Sequence, residues 1–81
     1  MEDDSDKAVD QTLDTCGLTC PMPILKAKKA LAKMESGQLL RVLATDPGAV
    51  RDFHFFGSQT GNEVVGQTEE NGVFSIVVRR K

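Results

Sequence analysis

Cys16–Ile24, which reads CGLTCPMPI, is the stretch in which the chain must pass from one kind of secondary structure to another, and it holds the only two cysteines of 81 residues. On its N-terminal side Gln11-Thr12-Leu13-Asp14 is a short β-like run that Gly17 ends. On its C-terminal side Pro21 opens a segment, Ile24 to Met34, made almost entirely of strong helix formers. Ile24, Ala27, Leu31 and Met34 recur at helical spacing as one apolar stripe, while Lys26, Lys29 and Lys33 mark a different face. Glu35-Ser36-Gly37 closes the helix.

Further along, Leu39–Ala44 is an apolar run of strand length. Thr45-Asp46-Pro47-Gly48 follows, in which Asp46 suits an N-cap and Pro47 the first helical position. A second helix is predicted from Ala49 to Gln59, with Ala49, Phe53 and Phe56 on its buried face. Gly61-Asn62 interrupts the chain, Glu63–Glu70 can extend, and Asn71-Gly72 precedes the run Val73–Val78. Asn-Gly between two extended runs is a strong hairpin signal, because a type I′ turn needs positive φ at both central residues. The order is therefore βαβαββ: an α+β, two-layer α/β sandwich, with two helices packed on a four-stranded mixed sheet. Its first two strands are expected to be parallel through a right-handed crossover.

Residues 1–10 are acidic and poor in apolar side chains, the composition of a disordered tail, and residues 11–81 make one domain. No run approaches the roughly 20 apolar residues of a membrane helix, which predicts a soluble protein with no membrane partner. The start, MEDDSDKAVDQ, lacks the basic and apolar regions of a secretory signal, so a cytoplasmic location with reduced thiols is expected. With 10 basic and 12 acidic residues the net charge is −2, which gives no electrostatic case for direct nucleic-acid binding.

The cysteines admit several readings. With Cys20 as N-cap and Pro21 as the first helical residue, the Met22 N–H would face the Cys20 sulfur. The helix dipole would then hold the thiol's pKa below its ordinary value, leaving a sizeable thiolate fraction at neutral pH. Pro23 fits the first turn, where its missing N–H costs nothing. The same residues also suit a rigid turn around an incidental cysteine. His54 is the sole histidine and belongs to the other helix, which argues against a cysteine–histidine hydrolase. Two cysteines and one distant histidine do not fill a tetrahedral zinc site, so no metal is expected. Cys16 and Cys20 have three residues between them rather than the two of a thioredoxin-like motif. Lys26, Lys29 and Lys33 suit either a solvated helix face or a docking face, and Phe55, off the apolar stripe, either loop packing or a partner contact.

On Leu13-Asp14, on Gly17-Leu18-Thr19-Cys20-Pro21-Met22-Pro23 as the pattern G-L-x-C-P-x-P, and on Thr45-Asp46-Pro47, the chain resembles the TusA (SirA-like) family of sulfur carriers over about residues 11–80. The resemblance implies a sandwich similar to the C-terminal domain of a bacterial translation initiation factor. It implies that Cys20 carries sulfane sulfur as a persulfide, in the manner of a relay sulfurtransferase without a cofactor. A cysteine desulfurase or rhodanese would load it, and a DsrE-like protein would receive the sulfur. The implied destinations are 2-thiouridine in tRNA, molybdenum cofactor maturation and sulfur oxidation. Cys16 stands where the family often has another residue, as a possible auxiliary thiol, and Gly57 where some members have a second cysteine. Two other functions fit the residues: a thiol redox protein cycling Cys16 and Cys20, and a non-catalytic interaction module.

Overall fold

A computed structural model describes residues 9–81. Of the predicted tail, residues 1–8 lie outside the described residues; Asp10, at its end, donates its N–H to the Leu39 carbonyl at 2.8 Å and accepts the Leu39 N–H on Oδ2 at 2.8 Å. The elements follow as β1 (Gln11–Thr15), α1 (Met22–Ala32), β2 (Leu39–Ala44), α2 (Ala49–Thr60), β3 (Glu63–Glu70) and β4 (Val73–Arg79). This is the βαβαββ order, in one mixed sheet of strand order β1-β2-β4-β3. β1 pairs parallel with β2, whereas β4 runs antiparallel to both β2 and β3.

Alternation along the strands decides which face the helices cover. Leu40, Val42 and Ala44 of β2 are buried and stand opposite Val78, Ile76 and Phe74 of β4. Ala27 and Leu31 of α1, Met34 just beyond it, and Ala49, Phe53 and Phe56 of α2 complete one core with them, and Ile24 packs at its margin. Phe53 is the largest of its fully enclosed side chains, edge-to-face with Phe56 at 6.0 Å between ring centroids. Truncating such a ring to alanine costs about 3–5 kcal/mol. The apolar stripes of both helices thus meet the sheet as the sequence pattern predicts.

Turn chemistry fixes the connections. Asn71 and Gly72 take φ of 53° and 82°, the positive pair that the β3–β4 hairpin turn requires. α2 ends at Gly61, whose φ of 84° lets its N–H return to the Gly57 carbonyl at 2.8 Å. Gly57 is needed for a different reason: a Cβ there would stand 2.9 Å from the Asn62 carbonyl oxygen, so α2 lies closer to the start of β3 than a side chain permits.

The helix starts differ from the expected registers. α1 begins one residue later than predicted, with Pro21 as N-cap, Met22 first and Pro23 second. The Met22 N–H closes a turn onto the Thr19 carbonyl at 2.8 Å, and the first helical bond runs from Leu25 N–H to Pro21 O at 3.0 Å. Neither proline has an N–H to lose in either register, so the Thr19 turn decides between them. α2 begins at Ala49 with Gly48 as N-cap, and no side chain caps it. Asp46 and Pro47 therefore belong to the turn that leads in, with the Ala49 N–H on the Asp46 carbonyl at 3.0 Å. Among the described residues no helix is long and apolar enough to cross a membrane.

Candidate functional site

Because β1 and β2 are parallel, the loops that leave their C-terminal ends emerge at the same edge of the sheet. The loop after β1 carries both cysteines, and the loop after β2 carries Thr45 and Asp46. Buried Thr15 anchors the first loop by donating Oγ1 to the Leu43 carbonyl at 2.6 Å. Gly17, with φ of 83°, turns the chain so that its N–H meets Thr45 Oγ1 at 2.8 Å. Three residues on, the Cys20 N–H donates to Asp46 Oδ2 at 3.0 Å, while Asp46 Oδ1 accepts the Gly48 N–H at 3.2 Å. One carboxylate therefore holds the Cys20 backbone and the entry to α2 together.

Both thiols are free and exposed, and each faces a carboxylate. The Cys20 thiol donates to Asp52 of α2; that hydrogen bond, helped by desolvation and by the charges of Asp52 and Asp46, pushes the thiol above its ordinary value. This reverses the expected lowering. The Met22 N–H is committed to Thr19, and two full negative charges outweigh the roughly half charge of a helix N-terminus. Cys16 is pushed up in the same way, through its hydrogen bond to Asp14 near the end of β1. In return the Cys16 N–H, at 2.9 Å from Asp14 Oδ1, and then its thiol hold the Asp14 carboxyl below the usual carboxylate range.

Cys20 stands at one end of a groove of 510 Å³ between α1 and α2. Its walls are apolar, built from Ile24, Leu25, Phe55 and Phe56, and Lys28 and Arg51 bring positive charge to it. Leu25 is 50% exposed and Phe55 67%, and both line the groove with Cys20; exposed apolar side chains grouped in this way mark a contact surface.

The predicted site residues divide across two places. Cys20, Pro21 and Phe55 share this groove. Lys26, Lys29 and Lys33 line a separate depression with Gln11 and Leu13, on the β1 side of α1. Among the lysines near the motif it is Lys28 that joins Cys20, because a step of two residues from Lys26 turns the side chain to the opposite flank of the helix. Leu25, Lys28, Arg51 and Asp52 were missed from the sequence. Leu25 alone carried a signal, as an apolar residue off the buried stripe next to the motif. Gly57, the position at which the resemblance implies a second cysteine in some members, lies outside the groove beside Val64 and Ser58.

Fold and site together define a small α/β protein that presents one thiol at the head of an apolar groove, at the C-terminal ends of parallel strands. The chain belongs to the TusA (SirA-like) family of sulfur carriers: the family model described as Sulfurtransferase TusA matches residues 11–80. It is 55% identical over 71 residues to the sulfur carrier protein TusA of Allochromatium vinosum, across 88% of this chain and 93% of that one. A putative sulfur carrier protein of Neisseria meningitidis is also 55% identical, across 88% of this chain and 96% of its own length. Among solved structures, the crystal structure of the SirA-like protein from Desulfitobacterium hafniense superposes with a TM-score of 0.76 at 28% identity, covering 85% of this chain and 95% of that one.

Proposed function

We propose that Cys20 is the residue that carries the sulfur, taking it from a donor persulfide and holding it as its own persulfide until an acceptor thiolate removes it. The observation that supports this reading most directly is the placement of Cys20, exposed at the end of the apolar groove, while its backbone is fixed by Asp46. Sulfur exchange of this type needs an approachable sulfur and little enclosure. The donor is a cysteine desulfurase or a rhodanese and the acceptor a DsrE-like protein, in a pathway of tRNA 2-thiouridine formation, sulfur oxidation or cofactor maturation in the cytoplasm. Docking falls on Leu25 and Phe55, with Lys28 and Arg51 contributing charge. Lys26, Lys29 and Lys33 contribute encounter rate rather than contact.

In the loading step the Cys20 sulfur bonds to the donor's outer sulfur, and the donor's own S–S bond breaks. Its electron pair stays with the donor thiolate, which takes the proton that Cys20 gives up, so one sulfur atom moves with no net oxidation. Incubation with a desulfurase and cysteine, followed by intact mass, tests this reading. Wild type should gain one sulfur and Cys20→Ser none; equal gain by both would overturn it. A redox cycle between Cys16 and Cys20 would instead make Cys16→Ser inactive.

A further inference from the structure

We propose that Asp52 is a positioning residue that retains the sulfur cargo: its carboxylate, in the same groove as Cys20, disfavours the negative charge that develops on Cys20 Sγ when the S–S bond breaks, so small thiols strip the persulfide slowly. The proposal rests on the carrier reading above. Asp52 lies on the first turn of α2, where its N–H donates to the Gly48 carbonyl at 3.0 Å. It lines the same groove as Cys20, and its Oδ2 and Asp46 Oδ1 flank Gly48, each 3.9 Å from the position a Cβ would take there. Asp46 also fixes the Cys20 backbone, so the two carboxylates flank the segment that leads into α2.

The chemistry that this affects is the loss of sulfur to an unintended acceptor. When a small thiolate attacks the outer sulfur of loaded Cys20, a new S–S bond forms and the bond to Cys20 Sγ breaks. The electron pair of that bond goes to Cys20, which takes up the proton of the departing perthiol. The less stable the Cys20 thiolate, the slower this step, because the rate rises as the leaving thiol becomes more acidic. Facing Cys20 across the groove are Asp52 and Arg51 from α2 and Lys28 from α1, with Asp46 from the loop after β2. The two carboxylates set the direction, pushing the thiol up.

The test uses a Cys16→Ser background, which leaves Cys20 as the sole thiol. The pH midpoint of iodoacetamide alkylation should fall in Asp52→Asn. Below that midpoint the rate should rise by about threefold for each unit of fall, a tenfold gain in thiolate offset by its lower nucleophilicity. Loaded protein freed of donor and then given reduced glutathione should lose its sulfur roughly twofold to fivefold faster in Asp52→Asn, read by intact mass. Asp52→Glu, which keeps the charge, should stay near wild type in both measurements. Sulfur loss at the wild-type rate in the Asn variant overturns the proposal, and so does faster loss with an unmoved midpoint, which would mark a structural disturbance. A wild type that gains no sulfur overturns the carrier reading instead, and the alkylation midpoint then decides the role of Asp52 alone.

Discussion

Cys16 and Cys20 occupy one loop, both exposed, each with an aspartate as partner, yet they differ in how that partner arrives. Asp14, near the end of β1, lies two residues before Cys16, so that pair is made locally along the chain. Cys20 draws Asp46 from 26 residues away and Asp52 from the next helix, and it faces a groove between two elements. Similar direct surroundings therefore produce different chemical prospects. A local pair ties a thiol only to its own stretch of chain, whereas a pair assembled by the tertiary fold ties the thiol to a surface that another protein can cover.

The strongest way to break this comparison is to exchange the cysteines' roles. Cys20→Ser should abolish sulfur gain completely, and Cys16→Ser should leave it within about twofold of wild type when loading is followed by mass; a loss in the second variant would make the two thiols partners. Next in size, Phe55→Ala with Leu25→Ala should slow desulfurase-dependent loading by tenfold or more, the effect of removing anchors worth roughly 2 kcal/mol. Alkylation of Cys20 by a small reagent should be unchanged in the same protein. Replacing Lys26, Lys29 and Lys33 together by glutamine should alter loading only through its salt dependence.

Smaller effects test the frame that separates the thiols. Asp46→Ala removes the acceptor of the Cys20 and Gly48 N–H groups and should cost about 1–2 kcal/mol in urea denaturation. Gly17→Ala meets no neighbour within 4 Å, so its expected cost, about 1–2 kcal/mol, is that of the positive φ alone. Last, Asp14→Asn should lower the alkylation midpoint of Cys16 and leave that of Cys20 in place. The sign follows from removing a negative charge that strengthens the thiol's hydrogen bond and disfavours the thiolate.

The architecture was legible because its punctuation is strong. Asn71-Gly72, the two amphipathic stripes and the apolar run of β2 each name an element, and a two-layer sandwich buries both stripes and that run together. The helix starts were harder, since Pro21, Pro23, Asp46 and Pro47 each suit more than one cap position, and carbonyls such as that of Thr19 make the choice. Within the site, Cys20 was visible from its motif, but the direction of its acidity was not. A helix dipole is a property of sequence-local structure, while Asp52 reaches Cys20 only after β1 and β2 have paired. The lysines show the same limit: spacing separated Lys28 from Lys26, Lys29 and Lys33 but did not say which flank meets α2.

The irregularity in β3 has a bearing on how such a protein survives at high concentration. β3 is the longest strand and one of the two sheet edges, and its ladder to β4 shifts register between Val64 and Gly66. An unbroken eight-residue edge would be a template for the strand of another molecule. Here the extra residue, Val65, bends the strand, Glu69 and Glu70 put charge at one end, and Glu63 stands ion-paired with Arg79 at the other. Any second chain laid along that edge meets broken spacing in the middle and carboxylates at one end, which discourages aggregation through the sheet.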